Sequence, residues 1–120
     1  MTLIVHVTAR TRWEATEDTY VHPSLENEGF IHCSAPDQVV AVANTNAAHF
    51  DELEPLVLLC IDESLVQPPV RYEGEGSETY PHIYGELNRD AVIDVVPFET
   101  GEDGSYVLPE VVEQLHSKTK

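Results

Sequence analysis

Apolar and polar residues alternate along residues 3–8, which predicts a first β-strand. Side chains on a strand point alternately to its two faces, so Leu3, Val5 and Val7 are expected on the core side, with Ile4, His6 and Thr8 opposite. A short helix should follow, because Thr11 and Glu14 have capping-box spacing and Trp13 supplies an apolar anchor. Residues 20–27 read as a loop broken by Pro23 and Ser24. Gly29 then opens a short buried strand, Gly29-Phe30-Ile31-His32-Cys33-Ser34. Within it Ile31 and Cys33 share one face, and Phe30, His32 and Ser34 the other.

Ser34-Ala35-Pro36-Asp37 has the form of a helix start, a serine cap followed by proline and an acid. Val39, Val42, Ala43, Ala47 and Phe50 continue at helical spacing, so the helix is expected to reach Phe50, with its N-terminus just after His32. The nearly unbroken apolar run 55–62 predicts a strand buried on both faces. Shorter strands are expected at 70–73, 83–85, 91–98 and 106–108. A turn is expected near 87–90 and another at Asp103-Gly104, with an acidic glycine-containing loop at 74–79. Pro109 can open a terminal helix through Leu115, with Lys118 and Lys120 past its end. The pattern is that of an α+β protein with two or three helices.

His followed by an apolar residue and a hydroxyl occurs three times: His6-Val7-Thr8, His32-Cys33-Ser34 and His82-Ile83-Tyr84. Alternation places each imidazole with its hydroxyl, away from the core face, so the three segments are expected to line one polar cleft. The competing reading is that each histidine is structural and bonds a neighbouring backbone group. The long spacings lack the clustered ligands of a structural zinc site, and no metal is expected. Three histidines plus water remain a possible catalytic zinc set, which would make the protein a metal-dependent hydrolase. Cys33 should point away from His32, which argues against a Cys/His nucleophile pair. Thr8 and Ser34 can equally cap helices. Trp13 suits the core or a cleft wall, Tyr20 packing, and Tyr84 a planar ligand. His22, His49 and His116 lack the pattern and read as surface residues.

Charge narrows the partners. The 120 residues carry a formal net charge of −16, from 22 acids against 6 bases. Such a surface repels nucleic acid and anionic membrane. Residues 1–50 hold two of the bases and six of the acids, so an anionic ligand fits better there. Arg10, Arg12 and Arg71 can hold a phosphate or carboxylate, or form ordinary ion pairs. Glu73 is a candidate general base or ribose-binding acid, or a solvated strand end. A chain of this length makes one domain, 1–120, with a sizeable core. Cys33 and Cys60 sit in apolar runs and read as buried reduced thiols of a cytoplasmic protein. The N-terminus has no basic region, so no signal peptide is expected, and no apolar stretch is long enough to span a bilayer.

The chain resembles a family of bacterial and plant proteins known as domain of unknown function 952. The resemblance rests on Val5-His6-Val7-Thr8 with Trp13, on Gly29-Phe30-Ile31-His32-Cys33-Ser34 with Gln38, on Arg71 to Glu73, on Pro81-His82-Ile83-Tyr84-Gly85, and on the Asp103-Gly104 turn and Pro109. That family is similar in fold to the ADP-ribosyltransferase superfamily, in the branch that includes RNA 2′-phosphotransferase. The resemblance implies a split mixed β-sheet core around a cleft that binds NAD and supports glycosyl transfer from it. His6 would then contact the nicotinamide ribose and His32 would sit against the nicotinamide. The third motif position is often a glutamate supporting an oxocarbenium-like transition state, for which Glu73 and His82 are the candidates. Thr8, Arg10, Trp13, Ser34 and Tyr84 would complete the nucleotide site. The third rival to an NAD-consuming enzyme and a metal hydrolase is a non-catalytic binding module.

Overall fold

Residues 56–61 are buried without interruption, as their apolar run requires, and they form the middle strand around which the other elements are layered. The computed structural model describes residues 2–74 and 76–118. In chain order the elements are β1 (Leu3–Ala9), α1 (Arg10–Glu14), β2 (Thr19–Tyr20), α2 (Ser24–Asn27), β3 (Ile31–His32), α3 (Val39–Thr45), α4 (Ala47–Asp51), β4 (Leu56–Asp62), β5 (Val70–Glu73), β6 (Tyr80–Ile83), β7 (Leu87–Asn88), β8 (Val92–Phe98) and α5 (Glu110–Lys118). Short 3-10 turns occupy Glu63–Leu65 and Arg89–Ala91. The fold is α+β. No helix among the described residues is long and apolar enough to cross a membrane.

The strands form two three-stranded sheets, in the orders β1-β4-β8 and β3-β6-β5, and a small β2-β7 ribbon. One face of β4 presents Leu56, Leu58 and Cys60 to Val39 and Ala43 of α3, Val112 of α5, Phe98 and Tyr106. The other presents Val57, Leu59 and Ile61 to Tyr20, Ile31, Cys33, Ile83 and Leu87. The first sheet is thus the middle layer, between helices and the second sheet. That position explains why β4 lacks alternation: both faces lie in a core. β1 keeps the expected alternation. Leu3 and Val5 join the helix-side core, with Val7 packed against it. Ile4 joins the other core, and His6 and Thr8 are buried on the same side as Ile4.

Among the described residues, main-chain hydrogen bonds join the two sheets at one place. Beyond β3 the chain makes an isolated antiparallel bridge from Ser34 to Val5 of β1, closed by two main-chain hydrogen bonds of 2.8 Å each. On either side of that bridge the β1 and β3 backbones separate.

Several sequence expectations are corrected by these pairings. The described pairings are all antiparallel, not mixed, and the described residues form five α-helices, not two or three. Thr11 does not cap α1; Ala9 holds that position without a side-chain bond. Residues 20–27 are not a loop throughout, since Tyr20 pairs with Leu87 and α2 follows Pro23. The central strand is only two residues long. Ser34 is recruited by Val5, so no helix starts there. The Ala35 amide is taken by the Gln38 side chain at 2.9 Å, and α3 begins only at Val39. The expected single helix breaks at Asn46, whose Nδ2 donates to the Val42 carbonyl at 2.8 Å. Such a side-chain bond competes with the helix's own ladder. β6 starts at Tyr80 and ends at Ile83, because His82 pairs with His32. Residues 87–90 combine β7 with a 3-10 turn where a plain turn was expected. Of the expected strand at 106–108 only a Thr100–Tyr106 bridge forms. α5 continues to Lys118, beyond the expected end at Leu115; Lys120 lies outside the described residues.

Candidate functional site

The gap left where β1 and β3 diverge is a cavity of about 520 Å³. Its lining runs from Val5 to Leu53, all but Leu53 within the less acidic residues 1–50. β1 supplies His6, α1 supplies Arg12, and the chain around α2 supplies His22, Ser24 and Glu28. The β3 segment contributes His32 and Ser34, and the helical pair α3–α4 closes the far side with Val42, Asn46, His49 and Phe50. A larger hollow of about 890 Å³ beside α1 is an open groove bordered by Glu17, Asp18, Glu52 and Glu54, and of the expected site residues only Arg12 reaches it.

His6 is buried, and both its ring nitrogens are occupied. Nδ1 lies 2.5 Å from the His32 carbonyl and Nε2 lies 2.8 Å from the Tyr20 hydroxyl. A carbonyl only accepts, so Nδ1 carries the proton and Nε2 accepts from Tyr20. The Tyr20 oxygen, having spent its proton, accepts from the Thr8 hydroxyl, 2.8 Å away. Burial, then the neighbouring His22, lowers the His6 pKa to about 3, so the ring stays neutral near pH 7. His6 is therefore a tie between the sheets and not a free base. Thr8 and Tyr20 stand behind it as its proton partners; Tyr20 packs in the core as expected.

His22 is the unexpected member. It stands edge-on to His6, with ring centroids 5.2 Å apart. Its Nδ1 accepts the Ser24 main-chain N–H at 3.1 Å, which leaves the proton of the neutral ring on Nε2 as a donor. Burial, then the Arg12 charge, lowers its pKa to about 4. His49 joins from α4. Neither His22 nor His49 belongs to a repeated motif. The available signal for His22 was its position two residues before Ser24, where an imidazole can receive a helix-start amide. His49 carried none.

His32 stands at the boundary of two cavities. Its Nε2 lies 2.8 Å from Glu28, both side chains being half exposed. Across the strand pair, His82 is its direct register partner, with ring centroids 5.3 Å apart. Phe30 stacks on His82 at 4.1 Å. His82 Nδ1 lies 3.0 Å from Glu73, and the same carboxylate oxygen accepts the Tyr84 hydroxyl. The Arg71 guanidinium covers the Tyr84 ring at 4.9 Å. The Tyr84 bond, then His82, lowers the Glu73 pKa, and Glu73 raises that of Tyr84. The second cavity, about 330 Å³, is lined by His32, Ser34, Tyr80 and His82 and by Val42, Thr45 and Asn46.

The three motif histidines therefore do not share one hollow. His6 borders the larger cavity, His82 the smaller, and His32 both. Ser34 lines both cavities. Arg10 lines neither cavity; its main-chain N–H bonds the Pro55 carbonyl at 2.9 Å. Residues two apart on a helix point roughly 200° apart, so Arg12 faces the cleft in its place. Trp13 is no cleft wall: it packs against the second core beneath the Arg89 guanidinium at 4.9 Å. Glu73 and Tyr84 line neither cavity. Among the described residues no three His, Cys, Asp or Glu side chains are grouped to hold a metal ion. With His6 saturated, the three-histidine hydrolase has no ligand set. Cys33 and Cys60 are free and buried. Burial raises both thiol pKa values, Cys60 to about 12, which removes Cys33 as a nucleophile at neutral pH.

The chain is similar to protein CC0527 from Caulobacter crescentus. Its crystal structure aligns with a TM-score of 0.77 and 26% identity, covering 93% of this chain and 99% of that one. A double mutant of CC0527 aligns with the same values. The solution structure aligns with a TM-score of 0.62 over 95% and 97%. No curated protein matches the chain. The family described as "Protein of unknown function (DUF952)" matches residues 7–95, and the chain belongs to that family.

Proposed function

We propose that the chain binds NAD, or a related nucleotide with a ribose and a diphosphate, in the cleft between β1 and β3, and that it is an ADP-ribosyltransferase-like enzyme. The observation that carries this reading is the company in the cleft. A chain of net charge −16 gathers Arg12, His22 and His49 around one cavity with a single lining acid, Glu28. An arginine and imidazole N–H groups are donors suited to phosphate oxygens. A volume of about 520 Å³ falls within the usual range for small-molecule sites. The division of the strands into two sheets joined at Val5–Ser34 further supports the analogy to the split sheet of that superfamily, an analogy of fold.

On this reading Arg12 and the His22 Nε2–H hold the diphosphate, and His32 with Ser34 meets the nicotinamide ribose. His6 holds the His32 main chain in place and does not itself meet the ribose. Glu28 replaces Glu73 as the acid nearest the glycosidic carbon, because it lines the cleft and Glu73 does not.

Calorimetric titration with NAD up to millimolar concentration tests the reading. Binding is expected in the wild-type protein, at least about tenfold weaker in Arg12→Ala, where a charge-assisted contact is lost. No heat and no shift in melting temperature with NAD would refute it. Binding without any release of nicotinamide would favour the non-catalytic module, to which the saturated His6 is already suited.

A further inference from the structure

The smaller cavity shares Ser34, His32, Val42 and Asn46 with the nucleotide cleft, and the rest of its wall, with Thr45 and Tyr80, includes His82, the imidazole that Glu73 orients. We propose that this cavity receives a hydroxyl acceptor, water included, and that His82 is the general base that takes the acceptor's proton. The inference rests on the nucleotide reading of the neighbouring cleft.

Three observations fit His82 for this role. Its Nδ1 faces the Glu73 carboxylate at 3.0 Å, so the carboxylate fixes the proton on Nδ1 and leaves the lone pair on Nε2. Phe30, stacked at 4.1 Å and nearly parallel, holds the ring plane. Tyr84 bonds the same carboxylate oxygen, with Arg71 over its ring, so the orienting group is itself held. A carboxylate behind an imidazole that lines a cavity is the arrangement general-base catalysis needs. His32 stands in the shared wall, between the base and the nucleotide cleft.

The step balances as a displacement. The acceptor oxygen bonds to the ribose carbon while the glycosidic carbon–nitrogen bond breaks. The electron pair of that bond leaves with neutral nicotinamide, and the hydroxyl proton passes to His82 Nε2. The imidazolium, stabilised by Glu73, then returns the proton to solvent.

The test measures NAD affinity by calorimetry and nicotinamide release at saturating NAD, with water as acceptor. His82→Ala is expected to keep wild-type NAD affinity and to lose at least about 100-fold in turnover. Added imidazole should restore part of that loss, which a purely structural defect would not allow. Glu73→Gln, which removes the charge behind His82 with little change of size, should bind NAD and turn over at least about tenfold more slowly. NAD binding with wild-type turnover in His82→Ala overturns this inference alone, as does NAD binding by a wild-type protein that releases no nicotinamide. Absence of NAD binding overturns the nucleotide reading and this inference with it.

Discussion

His6 reaches across the gap between the two sheets and donates its Nδ1–H to the main-chain carbonyl of His32, 2.5 Å away. One motif histidine thus holds the backbone of another. The bond lies one residue after Val5 and two before Ser34, the pair that makes the bridge, and together they define where the sheets join and where the cleft begins. An imidazole used this way must remain neutral and keep its tautomer, which its burial and Tyr20 ensure.

This arrangement makes stability depend on pH. The His6 pKa is about 3 in the folded protein against an ordinary 6.5, so between those values the unfolded chain binds more protons. Stability therefore rises with pH across that window and falls on acidification, by up to about 1.4 kcal/mol per pH unit for one such group. His22, lowered to about 4, adds in the same direction. In His6→Gln the slope of stability against pH should be smaller than in the wild type. Urea unfolding midpoints near pH 7, 6 and 5, compared between the two proteins, measure it; equal slopes would contradict the buried neutral imidazole.

Tyr20→Phe removes the hydroxyl that satisfies His6 Nε2 and takes the Thr8 proton. Leaving such buried groups unpaired should cost about 1–3 kcal/mol. Thr8→Val should cost less in a Tyr20→Phe background than in the wild type, because its partner is already gone. A double-mutant cycle by chemical denaturation reads the coupling directly.

Cys33 and Cys60 should not react with an aromatic disulfide reagent in the native protein at neutral pH. Both are buried, and burial raises both thiol pKa values, so neither access nor thiolate is available. Both should react once guanidinium unfolds the chain. Rapid labelling of either in native buffer would contradict the placement of Cys33 and Cys60 in the two cores.

Asn88 ties residues 65–67 to its own turn with one side chain. Its Nδ2 donates to the Leu65 carbonyl at 2.9 Å, its Oδ1 accepts the Gln67 N–H at 2.9 Å, and Asp90 shares the amide. Asn88→Ala should lower stability by about 1–3 kcal/mol. Asn88→Asp, which keeps the acceptor but puts a carboxylate against Asp90 and the Leu65 carbonyl, should lower it at least as much. Thermal melting at neutral pH distinguishes these outcomes from a neutral surface change.

Local pattern was sufficient for much of the fold. The alternation of residues 3–8 and the unbroken apolar run before Asp62 announced β1 and β4, because strand period and two-sided burial are written into neighbouring residues. That His32 and Ser34 share a face was legible for the same reason, and both line the two cavities. Ser34 as a helix cap was not a poor local choice. It was overridden by Val5, some thirty positions away, whose backbone offered Ser34 two hydrogen bonds.

What the sequence by itself determined is the material of the site: three histidines on extended segments, few positive charges, and a less acidic N-terminal half. Only the tertiary structure decided how that material is divided. Pairing of His32 with His82 set one cavity on the outside of the second sheet. The bridge at Val5 opened the other beside it and drew His22, His49 and Arg12 to its walls. The division turned on where two strands stop pairing, which depends on contacts between residues distant in the chain and leaves no periodic trace within either strand.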